Sequence, residues 1–498
     1  MEPTTLPTNY AGLLPEGVLL AATAILAGLA AFRSGIGHRV IGYSALAILI
    51  VSGVLVGITG FGSIDSALFI NDSGSQFFKF IFLAAAFFTI SQKLSYSDEN
   101  RQLFAANILL LLLSVIAMMF LSMSSNLVSI FVSLELSVIP LIVIAKNYNN
   151  SVKLPQKFLL VTLFSSLLIL FGFSFLYGLS GATNLLMMKL QIAVVHITQL
   201  QIGVIILLAV ASILSGLILK AGFIPFNSWM HRIHKNLPLP IVSFVAVAFT
   251  SAVILAFAKI FINGLFAFHG PEMNPNDWGR LVAFIAFINI VFGTIQMLRQ
   301  RNLVSLMFYA NMAQMGFVLM GMISMVIHGL QSAGFYLISF MFSATGAYAL
   351  IDIVKRQSAS TNLDDFKGIA KSSLPIAIIF SVFLMSLAGL PLLVGFVAKF
   401  SIIEAALEMA GLDKSFHWMY ILAGAGIVCA VISLIKLGRI AFSLFARTER
   451  PQIGLKFPLP VKFVLAVTAL GTILFGVYPD PLLALAARLS AAFGFIIE

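Results

Sequence analysis

Runs of about twenty apolar residues, the length that carries a helix across a bilayer, recur along this chain from one end to the other. They fall near residues 12–32, 40–60, 77–92, 103–123, 126–145, 157–179, 201–224, 240–264, 280–298, 303–327, 332–354, 374–410, 418–446 and 459–486. Hydrocarbon offers backbone N–H and C=O groups no partner, so each run must satisfy its own as a helix. The expected fold is an all-α polytopic membrane protein with about fourteen transmembrane helices. The window at 374–410 is too long for one straight crossing and predicts a broken or tilted helix. Composition removes the alternatives. With 60% of its 498 residues apolar and 9% charged, against about 25% charged in a soluble domain, the chain cannot cover a water-facing surface. Its 46 Phe exclude disorder.

The chain reads as a single integral membrane domain, 1–498, because no connector is long enough to fold outside the bilayer. Residues 181–200 are expected to lie along the surface as an amphipathic segment. The first ten residues lack Lys and Arg, so the first helix is no cleavable signal and is expected to be retained. Gly424 and Gly426 sit inside an apolar helix with no strand before them, which suits helix packing rather than a dinucleotide fingerprint. A single cysteine, Cys429, excludes an internal disulfide, a CxxC pair and a Cys-ligated iron–sulfur cluster.

Loops after odd-numbered spans hold 20 of the 29 Lys and Arg. The opposite side holds five, Lys79, Lys189, Arg280, Lys414 and Arg488, and four lie within spans, Lys220, Lys259, Lys399 and Lys436. This is the positive-inside asymmetry. It places both termini on the non-cytoplasmic side and accounts for the net charge of +11 without nucleic acid.

Ionisable groups at membrane depth cost roughly 2.5–3.5 kcal/mol each on insertion scales and so demand a reason. Glu135 lies mid-span, five residues before Pro140; Lys220 lies five before Pro225; Lys399 lies eight after Pro391. Lys259 and Lys436 are nearer span ends, where a lysine can snorkel. Prolines beside buried charges mark helix breaks, which are tolerated only where the freed backbone is buried or lines a wet cavity. Two broken, lysine-bearing helices, the seventh and the twelfth, point to an inverted-repeat transporter core, although the sequence similarity of the halves is weak. A carboxylate beside a buried lysine favours its charged form while burial opposes it. Making or breaking a Glu135–Lys220 pair thus decides whether the lysine keeps its proton, which makes a proton relay. His231 and His234 have helical spacing but stand beside Arg232 and Lys235; four basic groups repel a cation, and no metal site is expected.

These segments carry a resemblance. LLPEGVLL, VSLELSVIPL around Glu135, LKAGFIPFNSW from Lys220, LVSLMFYANMAQMGF, TNLDDFKGIA and MSLAGLPLLVGFVAKF ending near Lys399 occur in order. Together they resemble the antiporter-like membrane subunits of respiratory complex I, most closely the subunit N branch, over essentially the whole length. The resemblance implies a proton-translocating subunit of an NADH:quinone oxidoreductase that binds no cofactor itself, NADH and quinone being used by the complex. It implies other membrane-arm subunits and the bilayer as partners, in an energy-transducing membrane such as a bacterial or archaeal cell inner membrane. It also implies two antiporter-like halves, 103–264 and 280–446, flanked by helices within 12–92 and 459–486. Glu135 and Lys220 would form the switchable pair and Lys399 the exit-side carrier, with Lys157, in PQKFLLVTLFSSLL, at the entry face or serving as an ordinary anchor.

The chain departs from that family at four places. Asn227 replaces the histidine after the seventh-helix Pro-Phe, His231-Arg232 replace a Pro-Asp, Gln314 replaces the tenth-helix histidine, and Thr250 replaces the eighth-helix lysine. Lys259, nine residues on, lies about 13 Å further along the helix and cannot substitute. A water-bridged centre around Thr250 and Gln314 is expected, with Lys259 nearer the outer end. A cation/proton antiporter or membrane-bound hydrogenase subunit, and a scaffold without pumping, remain the competing readings. The LLPE opening disfavours the antiporter, and the three retained charges disfavour the scaffold.

Overall fold

A computed structural model describes residues 10–32, 37–59, 68–95, 100–149, 152–198, 203–265, 278–358, 360–447 and 457–493. Of the loop cations, Arg33, Arg450 and Lys456 lie outside these residues. In chain order the helices are α1 (Leu14–Phe32), α2 (His38–Ile58), α3 (Ser73–Lys93), α4 (Arg101–Met123), α5 (Leu127–Asn147), α6 (Lys153–Ser180), α7 (Leu185–Thr198), α8 (Gly203–Ala221) and α9 (Ser228–Asn236). They continue with α10 (Leu239–Gly264), α11 (Trp278–Arg299), α12 (Leu303–Ile323), α13 (Ile327–Ser358), α14 (Leu374–Ala388), α15 (Val394–Leu412), α16 (Trp418–Ser443), α17 (Leu459–Val477) and α18 (Asp480–Ala492). Thirteen helices among the described residues are long and apolar enough to cross alone. The pair α14 and α15 makes the fourteenth crossing.

Position in the bundle follows from which faces are polar. Helices α10, α12 and α13 are buried almost throughout and carry Thr250, Asn311, Gln314, Tyr336 and Tyr348 inside the protein. Helices α2 and α16 turn Ile50, Val54, Ile421 and Val428 outward, as lipid-facing helices must, since lipid tails accept only apolar side chains. The polar residues are therefore gathered on one internal axis.

The seventh and twelfth crossings are broken, as the sequence predicts. Helix α8 stops at Ala221 because Gly222 turns left-handed (φ +69°), and α9 resumes after Pro225. Helix α14 stops at Ala388, where Gly389 has φ +94°, and α15 resumes at Val394 beyond Pro391. Left-handed backbone costs a residue with a Cβ about 1–2 kcal/mol, so an Ala-Gly step is the local reason for both stops.

Three expectations need correction. Pro140 breaks nothing: it lies inside the continuous helix α5, where a proline removes one ladder bond and neighbours can compensate. Ser114 of α4 donates to the Ser137 carbonyl at 2.6 Å, beside that weakened turn. The last window is two helices, with α18 turning back so that Leu489 meets the Gly334 region of α13. Lys79 belongs to no loop but is buried within α3. The 181–200 segment forms α7, 14 residues long and too short to cross; its Met188 side chain packs on Gly264.

The repeat is written in paired side-chain clasps. Asn126 caps α5 through Val128 N–H and donates to Thr183 Oγ1 at 2.9 Å, while Leu127 N–H bonds the Thr183 carbonyl. Asn302 caps α12 through Ser305 N–H and donates to Thr361 Oγ1 at 2.6 Å, while Leu303 N–H bonds the Thr361 carbonyl. The same Asn-Leu-Val-Ser and Thr-Asn-Leu strings make both. Five crossings separate Asn126 from Asn302, an odd number, so the two clasps face opposite sides of the membrane: an inverted repeat. Nine residues after each capping Asn stand Glu135 and Asn311. Asn302→Ala removes a cap and a side-chain tie, and is expected to destabilise by about 1–2 kcal/mol. An unchanged thermal midpoint of the solubilised protein would show the clasp to be passive.

Candidate functional site

Lys220, one residue before the break in α8, has no exposed side-chain surface and forms an ion pair with Glu135 of α5. Ser166 of α6 closes the group: its hydroxyl donates to Glu135 at 2.5 Å and lies 3.3 Å from the Lys220 Nζ. The expected pair is thus assembled, and Ser166 is an addition that sequence reasoning missed. One serine inside a helix that also carries Ser165 gives no signal by itself.

Lys399 is held differently. Its Nζ donates to the carbonyls of Leu387 and Ala388 at 2.8 and 3.0 Å, and stands 5.4 Å from the centre of the Phe317 ring. Those carbonyls end α14. A helix C-terminus carries roughly half a negative charge, and its last carbonyls have no partner within the helix. The break therefore creates the cation site. Glycine suits position 389 as well: its φ of +94° strains a residue with a Cβ, and a Cβ there would stand 3.1 Å from the Lys399 Cδ.

Gln314 belongs to the Lys399 group. Its amide donates to the same Leu387 carbonyl at 2.8 Å and accepts a hydrogen bond from the Tyr336 hydroxyl. Thr250 stands apart, directly after a π-turn of α10, with its hydroxyl directed to the carbonyls of Val245 and Ala246. It lines a cavity of about 20 Å³ together with Ala221, Gly222, His234 and Asn311, the room of a single water. Gln314 is not on that wall, so the single centre expected around Thr250 and Gln314 does not form. Gln314 lies one turn along α12 from Asn311, facing the end of α14. Asn311 donates to the Tyr348 hydroxyl at 2.6 Å.

Helix α9 is the short second limb of the broken seventh crossing. It turns Trp229, Met230, Ile233 and His234 inward and leaves Arg232 and Lys235 exposed. The His234 Nδ1 meets the Met230 carbonyl at 3.0 Å, which makes Nδ1 the protonated nitrogen.

Lys259 does not snorkel. It is 5% exposed, on the second π-turn of α10, within electrostatic reach of Asp72 and Lys79. Lys79 itself pairs with Glu16 at 2.9 Å, both side chains almost wholly buried, and donates to Asn71 at 3.1 Å. Sequence reasoning used Glu16 as part of a motif and missed this partner. Lys436 reaches the Leu298 carbonyl at the end of α11, 3.0 Å away and exposed. Lys157 is exposed in the first turn of α6, beside a small cleft shared with Trp229 and Arg232, and is outside the buried line. Lys157→Met is expected to slow turnover only modestly, measured on the assembled protein. Altered cysteine accessibility along α6 would instead mark the lysine as an anchor.

A family model described as NADH:quinone oxidoreductase/Mrp antiporter, transmembrane, matches residues 124–430. A protein of Heliobacterium modesticaldum named NADH-quinone oxidoreductase subunit N is 28% identical over 89% of this chain and 91% of its own length. A protein of the same name from Bacillus anthracis is 28% identical over 96% and 94%. Among solved structures, a chain of respiratory complex I from Thermus thermophilus superposes with a TM-score of 0.77 at 21% identity, covering 95% of this chain and 100% of the other. A chain of an archaeal membrane-bound sulfane sulfur reductase reaches 0.82 at 17% identity, covering 97% of each. A chain of the Mrp complex from Dietzia reaches 0.75 at 17% identity, covering 98% and 97%. At these identities the superpositions speak for the fold alone.

Proposed function

The chain belongs to the NADH:quinone oxidoreductase/Mrp antiporter family of transmembrane subunits, and from that footing we propose that it is a proton-translocating membrane-arm subunit of a quinone-reducing oxidoreductase complex. The names of the curated relatives, matched over most of their length, favour this over a stand-alone cation/proton antiporter. The observation that carries it is the pair of broken helices, each with a buried lysine at its break: Lys220 bonded to Glu135, and Lys399 bonded to helix-end carbonyls.

The chemistry follows from these partners. While Glu135 accepts from Lys220, the ammonium is favoured over the neutral amine. A movement that parts them leaves a buried charge, and the lysine relieves it by giving a proton toward the cavity that begins at Ala221. Lys399 is held by carbonyl dipoles, so its proton is retained by weaker fixed charges and is released to the far half. Electron transfer, and the binding of NADH and quinone, fall to other subunits of the complex. Neighbouring membrane-arm subunits and lipid are the partners of the exposed faces. The basic-loop asymmetry supports non-cytoplasmic termini in an energy-transducing membrane.

The test is to purify the native complex through a tag on this chain and reconstitute it. Quinone reduction accompanied by proton uptake, with flavin and iron–sulfur subunits in the preparation, is the expected result. Cation/proton exchange without any redox subunit would overturn the reading.

A further inference from the structure

Protons passing between Lys220 and Lys399 must cross the middle of the protein, where the threonine at 250 cannot hold a charge. The cavity there contains a group that can. We propose that His234 is the proton-carrying residue of the central cavity, a role this chain moved from α10 to α9, the second limb of the seventh crossing. The inference rests on the proton-translocating reading above.

Three observations converge on it. His234 is 3% exposed and lines the cavity shared with Thr250 and Asn311. Its Nδ1–H is committed to the Met230 carbonyl, and its buried Nε2 has no hydrogen-bond partner among the described residues. A neutral imidazole of this tautomer presents a lone pair at Nε2. In the same cavity the Asn311 Oδ1, also buried, is without a partner among the described residues. Two unsatisfied acceptors around a space the size of one water are what a bridging water or hydronium would satisfy.

The surroundings supply a direction. His231, three residues earlier and half-buried, lies toward the exposed Arg232 and Lys235 and stacks on Phe308, the same ring that His234 meets edge-on. Its Nε2 is likewise without a partner among the described residues. Tyr348 faces His234 from α13, with ring centres 6.4 Å apart, and carries the hydrogen bond from Asn311. Ala221 and Gly222, directly after Lys220, line the same cavity. In the step itself, a hydronium in the cavity gives a proton to Nε2 and is left as water, while Nδ1–H stays on the Met230 carbonyl. The imidazolium then returns the Nε2 proton to that same water once it has turned toward Asn311, so the net change is one proton carried across and a neutral imidazole restored. No other bond forms or breaks.

The position also explains a basic helix where the family has Pro-Asp. His231 and His234 are turned inward on α9 while Arg232 and Lys235 are exposed, so the permanent cations do not line the cavity.

The experiment compares proton translocation per quinone reduced in the reconstituted complex for the parent, His234→Asn, and His234→Asn combined with Thr250→Lys. Asparagine can keep the bond to Met230 but cannot titrate; the second substitution returns a titratable group to the same cavity. The ratio is expected to fall threefold or more in the single variant, with unchanged content of assembled complex, and to recover in the double. His234→Gln replaces His234→Asn if the latter does not assemble. An unchanged ratio in the single variant, or a loss that Thr250→Lys leaves in place, overturns the assignment. Lys399→Met is run alongside. If it too pumps normally, the failure lies with the relay reading and not with His234.

Discussion

Lys399→Met is expected to lower proton translocation by roughly tenfold or more, a loss in the range of removing a positioned proton-transfer group, while the protein still assembles. Methionine keeps the stem that packs below Gly389 and removes only the titrating head. The Leu387 and Ala388 carbonyls then lose a donor, but Gln314 still serves Leu387, so assembly should survive. Lys436→Met is the comparison, since that lysine bonds an exposed carbonyl at the edge of the bundle, and its pumping should match the parent. Dye quenching in reconstituted vesicles, scaled to quinone reduction, reads both. Normal pumping by an assembled Lys399→Met protein would remove this residue from the path.

Lys79→Met should have the larger effect on stability. It leaves Glu16 at 0% exposure without its cation, and breaking a buried pair by removing one partner costs about 3–5 kcal/mol. The amount of assembled protein in the membrane should drop several-fold. The double variant Glu16→Gln, Lys79→Met removes both charges and should regain most of the loss, because a buried ion pair is worth little over a neutral replacement. Asp72 and Lys259 stand close enough to feel the change. Equal assembly of the parent, both single variants and the double would mean that the pair is not energetically coupled.

How much of the site was legible varies with the residue. Glu135, Lys220 and Lys399 could be found because a charge inside an apolar run is conspicuous in one dimension. The breaks at Pro225 and Pro391 were visible too. Pro140 looked the same and broke nothing, because whether a proline interrupts or merely bends a helix depends on the neighbours that satisfy the loosened turn. Lys79 reads as a loop residue in one dimension, since it lies close to the start of its apolar run. The repeat could have been read as well: Asn-Leu-Val-Ser at 126–129 and 302–305, with Thr-Asn-Leu at 183–185 and 361–363. Such short polar strings are easily overlooked between long apolar ones.

The sequence by itself determined that this chain crosses a membrane about fourteen times, that two crossings are interrupted, and that a carboxylate and lysines lie at depth. These follow from rules that act along the chain: run length, the helical need of backbone in hydrocarbon, and the cost of buried charge. The tertiary structure alone decided which charges meet. It joined Glu16 to Lys79 across 63 positions of sequence, gave Lys399 carbonyls rather than a carboxylate, separated Gln314 from Thr250, and brought His234 to the cavity. Those outcomes depend on how helices rotate and pack, and a hydrogen bond or ion pair is set by a few ångströms that residue spacing does not record.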